Sequence, residues 1–168
     1  EDWEYLFEDK YSTYNGYLMK KEVLPVGKLP AKRPLANYQF SDTCYDYLER
    51  MTALCKEHGV ELVLVKAPSL YPYWYEEHSS QIADFAQTHQ LRYYDLTQEV
   101  DAIGLDFSQD TYDAGLHLNL SGATKLSGYF AKLLAENHGI PDRRTDAATA
   151  AEYEEKLRLY DEAAKEGT

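Results

Sequence analysis

The stretch DTYDAGLHLNLSGATKLSGYF, residues 110–130, sets His117 between Leu116 and Leu118, with Asp113 four residues and Asp110 seven residues upstream. A histidine titrates near neutral pH and acts as a general base when a carboxylate fixes its tautomer and supports the imidazolium. Asp113 is close enough in sequence to do this, and Asp110 is the second candidate. The flanking leucines would then anchor the loop in the core and leave the imidazole fixed at its rim. The same residues equally suit a packed histidine ahead of a helix whose N-cap is Asn119 or Ser121. Spacing alone leaves both open.

A second chemical cluster lies in VKAPSLYPYW, which carries Lys66 and Ser69. In α/β folds functional groups collect where strands end and helices begin. Lys66 beside Tyr73, Trp74 and Tyr75 could line a substrate groove, or be a solvated lysine at a strand end next to an aromatic patch. Ser69 follows a strand as a nucleophile should, yet KAPS lacks the small glycine of a tight elbow. Ser41 in FSDT reads as a helix cap followed by an acid in the first turn. His58, His78 and His89 fall in or at the ends of helical stretches without paired ligand spacing, so neither a metal nor a cofactor is expected. Cys44 and Cys55 share a helix face about 16 Å apart along the axis, too far to bridge.

The elements that must hold these groups follow from periodicity. SDTCYDYLERMTALCKEHG places Cys44, Leu48, Met51, Cys55 and His58 at helical spacing and stops at Gly59. ELVLVKAP is a short valine-rich run of the buried-strand type. YWYEEHSSQIADFAQTHQ predicts a second helix with Ile82, Phe85 and Ala86 inward, and LRYYDLT a second strand. Residues 98–113 read as a polar loop. LSGATKLSGYFAKLLAEN predicts a helix ending before Gly139 and Pro141. A last helix spans about 145–165, with Ala150, Tyr153, Leu157, Tyr160 and Ala164 on one stripe. Helices alternating with strands across short joints predict a parallel α/β sheet. The chain divides into an irregular aromatic-rich segment (1–40), an α/β core (41–140) and a C-terminal helix (141–168). Within the first, the Asn15-Gly16 pair suggests a hairpin or an extended loop.

The chain has 168 residues, 44% of them apolar, which suffices for one domain with a sizeable core. A net charge of −12 argues against nucleic acid as a partner. Sixteen tyrosines supply flat amphipathic area, for the rim of the core or for a sugar or protein surface.

YDAGLHLNLSGATKLSGYF resembles the C-terminal Asp–His block of the SGNH (GDSL-like) hydrolase superfamily. There an Asp two or three residues before a His, ahead of the last helix, completes a Ser-His-Asp triad. ELVLVKAPS with its following helix is similar to a segment of bacterial cell-surface members and acyltransferase relatives. The similarity covers residues 41–137. It implies a three-layer α/β/α fold with a parallel sheet, SGNH/flavodoxin-like, in which His117 is the base and Asp113 orients it. Asp110, Lys66, Ser69 and Asn119 would line the site. The usual Asp-x-x-His gains one residue here, which Gly115 could absorb through unusual backbone angles.

The family's Gly-Asp-Ser or Gly-Ser-Ser turn is not recognisable in this chain, nor are its oxyanion-hole blocks. With a start at Glu1 and only two strands, the resemblance implies the C-terminal part of a domain. A missing N-terminal part of the same protein would bring the serine. The activity implied is ester hydrolysis or O-acyl transfer on a small-molecule or glycan ester, such as an acylated cell-surface glycan. The parent would be extracytoplasmic or membrane-anchored. An alternative is a non-catalytic domain of the same fold that binds a glycan or a protein. A third is an assembly scaffold that uses the last helix.

Overall fold

The computed structural model describes residues 17–165. Its elements run α1 (Asp42–Glu57), β1 (Val63–Lys66), α2 (Glu76–His89), β2 (Arg92–Asp95), α3 (Val100–Ile103), α4 (Leu120–Asn137) and α5 (Ala147–Lys165). A 3₁₀ turn, Leu96–Gln98, links β2 to α3. Among the described residues β1 and β2 form a two-stranded parallel sheet with Val63 opposite Arg92 and Lys66 opposite Asp95. The architecture is mixed α/β, with helices flanking this small parallel sheet, as in a three-layer arrangement.

Alternation along the strands sends side chains to opposite faces. Leu64 and its neighbour Tyr93 point to one side, where Phe85 and Ala86 of α2 and Tyr45 and Leu48 of α1 pack. Tyr94 points to the other, with Phe130 of α4 edge-on to its ring at 6.0 Å between centroids. That second core is built on Leu96, Ile103 and Leu105 and closed by Leu118, Leu126 and Leu133. His138, just past α4, pins this layer to the sheet. Its Nδ1 bonds Glu61 at 2.7 Å and its Nε2 meets the Tyr94 hydroxyl at 2.9 Å.

Three expectations change. Residues 98–113 are not simply a polar loop: α3 lies within them, and Ile103 and Leu105 are buried. One short turn is too brief for periodicity to register. Met51 faces outward, because α1 carries two apolar stripes and the sheet takes the one with Tyr45 and Leu48, leaving Tyr47, Met51 and Leu54 exposed. On α5, Tyr153 and Leu157 are likewise exposed, and Arg158 pairs with Glu155 and Glu162 on its solvated face.

Residues 17–26 form neither helix nor strand, and the Asn15-Gly16 pair, where a hairpin or an extended loop is expected, lies outside the described residues. The segment runs against the loop before α4. The Leu24 N–H donates to the Thr111 carbonyl (3.0 Å), the Ala114 N–H to Leu24 (3.1 Å), and the Leu120 N–H to Lys20 (2.6 Å).

Candidate functional site

The loop from Asp110 to Asn119 is shaped by its polar side chains. Thr111, fully buried, is its pivot. The Thr111 Oγ1 donates to the His117 carbonyl at 2.9 Å and accepts the Gly115 N–H at 2.8 Å, while Thr111 and Leu118 form an antiparallel bridge. Between these closures the chain reverses through two left-handed residues, Ala114 at φ 62° and Gly115 at φ 96°. Alanine in this region costs about 1 kcal/mol, which the surrounding hydrogen bonds must offset.

Asp113 therefore meets His117 twice. The His117 N–H donates to Asp113 Oδ1 at 2.7 Å, and Nδ1 lies 2.5 Å from Oδ2. An ionised carboxylate can only accept, so Nδ1 carries a proton, and in the neutral ring the lone pair is then on Nε2. No described residue bonds Nε2. The His117 side chain is 68% exposed, and the Tyr112 ring stacks on it at 5.9 Å and 16°. Burial alone would raise the Asp113 pKa. The hydrogen bonds and charge of His117 outweigh it and hold the carboxyl below its usual value.

Asp110 serves elsewhere. It is completely buried, and its carboxylate accepts from the Asp106 N–H (2.8 Å), the Ser121 hydroxyl (2.7 Å) and the Lys125 ammonium (2.6 Å). Burial pushes its pKa up, but these three donors prevail and lower it. Asn119 is the N-cap of α4: its Oδ1 accepts the Gly122 N–H at 3.1 Å, and its Nδ2 donates to Gln109 and Glu22. Both residues anchor the base of the loop and neither lines the cleft at His117. A Cβ at Gly122 would come within 2.5 Å of the Asp110 carbonyl, so glycine is what lets α4 start beneath this loop.

Lys66 and Ser69 do reach the His117 cleft. It has a volume of about 680 Å³ and is walled by Tyr71, Tyr112, Leu116 and Leu126 as well. The contact that joins the two segments is backbone to backbone, Leu70 N–H to the Gly115 carbonyl at 2.7 Å. The serines of the cleft, Ser69 and Ser127, make no hydrogen bond to His117. Ser69 Oγ instead accepts the Tyr71 N–H at 3.0 Å, a local turn contact of the kind serine favours. Leu116 is exposed, so only Leu118 of the flanking pair anchors the loop in the core.

Burial draws the Lys66 ammonium below the usual lysine range, opposed in part by the charge of Asp95. Among the described residues, no three His, Cys, Asp or Glu side chains gather as metal ligands. No helix there is long and apolar enough to cross a membrane. Thr111 is not legible in the sequence as a functional residue: a threonine between two polar residues carries no periodic or motif signal. Chemically, the arrangement offers an imidazole oriented by Asp113 at the edge of an apolar-walled cleft, with no described residue on Nε2, which suits proton transfer to and from a bound hydroxyl.

Comparison with protein-family models, with curated proteins and with solved structures gives no match to this chain.

Proposed function

We propose that this chain is the C-terminal part of an SGNH-like, SGNH/flavodoxin-type domain and supplies the His–Asp half of a serine esterase or O-acyltransferase site. The observation that supports it is the His117–Asp113 pair, doubly bonded through Asp113, with Nε2 unbonded among the described residues beside a cleft. In the first half-reaction a serine Oγ bonds to the ester carbonyl carbon while its proton passes to Nε2. Collapse of the tetrahedral adduct expels the alcohol, which takes that proton. Water or a sugar hydroxyl then attacks the acyl-serine carbonyl and yields its proton to Nε2; collapse of this second adduct releases the acid or the new ester, and the serine Oγ takes that proton back as it leaves. The serine and the oxyanion donors come from a preceding part of the same protein. The substrate class is an acyl ester of a small molecule or of a cell-surface glycan, with the parent protein extracytoplasmic or membrane-anchored.

A second reading, a non-catalytic glycan- or protein-binding domain, is favoured by Ser69, whose hydroxyl is engaged by Tyr71 and not by His117. Labelling with a fluorophosphonate probe separates the two. The full-length gene product is expected to label, and His117→Ala to lose the label, while this chain alone stays unlabelled. Labelling of the chain itself at Ser69 would place the nucleophile here. A full-length protein that does not label would overturn the enzymatic reading.

A further inference from the structure

The carboxyl ends of β1 and β2 carry Lys66 and Asp95, which face each other across the sheet in register. In an open parallel sheet, ligands bind in the crevice beyond these ends. A second cleft of about 880 Å³ opens there, on the Asp95 side, walled by Trp74, Tyr75, Ser79 and Thr97. It meets the His117 cleft at Ser69 and Tyr71, which border both. We infer that the Asp95 cleft is a saccharide subsite, which seats neutral sugar rings of the substrate while an acylated hydroxyl reaches His117. This rests on the esterase reading above and adds to it where the glycan lies.

The polar groups are arranged for hydroxyl recognition. Asp95 has one oxygen bonded by the Ser79 hydroxyl at 2.7 Å, the other by the Thr97 hydroxyl at 2.5 Å and the Thr97 N–H at 3.2 Å. These bonds outweigh burial and keep the carboxylate ionised, so it remains an acceptor. Ser79 in turn accepts the Trp74 Nε1–H at 2.8 Å, which fixes the indole beside the carboxylate. The Tyr93 hydroxyl is buried next to Ser79 and Asp95 and, among the described residues, has no partner that meets hydrogen-bond geometry, which leaves an unmet polar group at the cleft. A carboxylate with a spare lone pair next to fixed aromatic faces recognises a pyranose through its hydroxyls and its C–H face.

Charge selects against other ligands. Asp95 forms no ion pair among the described residues, and Glu76 stands on the same wall. Lys66 lies 5.1 Å from the Trp74 ring centre, and Lys32 lies 5.6 Å from that of Tyr75. Two carboxylates and the Lys32 ammonium line this cleft, with Lys66 on the adjoining one, so an anion gains nothing from entering. A purely apolar ligand would strip water from Asp95 with nothing in return. A neutral, many-hydroxyl ligand satisfies both the aromatic and the polar wall. Tyr71, 49% exposed at the junction, provides a platform between the two clefts.

The test is saturation-transfer NMR on the full chain with cellotetraose, chitotetraose and mannotetraose, and with glucose 6-phosphate as a charged comparator. Saturable transfer is expected from at least one neutral tetramer and not from the phosphate. Asp95→Asn should weaken it roughly tenfold to a hundredfold, the weight of a charge-assisted hydrogen bond. Tyr71→Ala, a surface change that leaves the core intact, should weaken it several-fold, and His117→Ala should leave it unchanged. Absence of saturable transfer from all three tetramers, or equal affinity in Asp95→Asn and Tyr71→Ala, overturns the subsite. Sugar binding without fluorophosphonate labelling of the full-length protein would keep the subsite and discard the esterase. Labelling without sugar binding would do the reverse.

Discussion

Leu70 and Gly115 are bonded backbone to backbone at 2.7 Å, and this contact lays the segment after β1 against the turn that carries His117. The approach is close because Gly115 has no side chain: a Cβ there would lie 2.9 Å from Leu70 Cδ1. Lys66, Ser69 and His117 thus come to one cleft through a glycine rather than through their own side chains.

Gly115→Ala tests this joint. Its φ of 96° penalises any Cβ, and the Leu70 contact adds a steric term. The expected loss in unfolding free energy is about 1–3 kcal/mol, measured by urea denaturation. Gly104 is the control, since its φ is 75° and a methyl group added there would meet nothing within 4 Å. Gly104→Ala should cost only about 1 kcal/mol. Equal losses at the two positions would show that the Leu70 contact contributes nothing.

Asp113→Asn probes the carboxylate that orients the imidazole. Because the folded pKa is lowered, the ionised carboxylate contributes stability above its unfolded value of 3.8 and loses it as pH falls through the lower folded value. With the His117 partner largely exposed, the difference from wild type is expected to be about 1 kcal/mol at pH 7, shrinking toward zero below pH 3.8. Urea midpoints across that range check it. A gap that persists unchanged at low pH would mean that Asn fails for shape, not for charge. On the proposed esterase reading, the same variant should lower kcat by about 10²-fold or more, because the amide favours the wrong tautomer.

How much of this is legible in the sequence depends on the range of each interaction. The parallel α/β alternation and the helix cap at Ser41 are local, and periodicity with capping chemistry reveals them, whereas at α4 the sequence offers Asn119 and Ser121 alike and the structure selects Asn119. The role of Asp113 is half legible. Four and seven residues are both plausible separations from a histidine, and only the left-handed pair at 114 and 115 decides that Asp113 turns toward the ring while Asp110 turns into the core. The outward face of α1 at Met51 is hidden from periodicity because two apolar stripes share one helix, and which one meets the sheet is set by tertiary packing. The pairing of Lys66 with Asp95 follows from sheet register, which no stretch of either strand encodes alone.

Asp110→Ala bears on whether the floor of the loop is structural. Removing this fully buried carboxylate strands the Asp106 N–H, the Ser121 hydroxyl and the Lys125 ammonium together. The expected cost is about 2–4 kcal/mol, read from urea melts. Lys125→Met should cost less, about 1 kcal/mol, because the ammonium is 38% exposed and Asp110 keeps two neutral donors. If Asp110 merely solvates a loop, both variants will melt within about 0.5 kcal/mol of wild type, as ordinary surface changes do. If it holds the turn beneath His117, the larger loss will come with faster exchange of the Gly115 and Gly122 amides, whose partners Thr111 and Asn119 sit on the same floor.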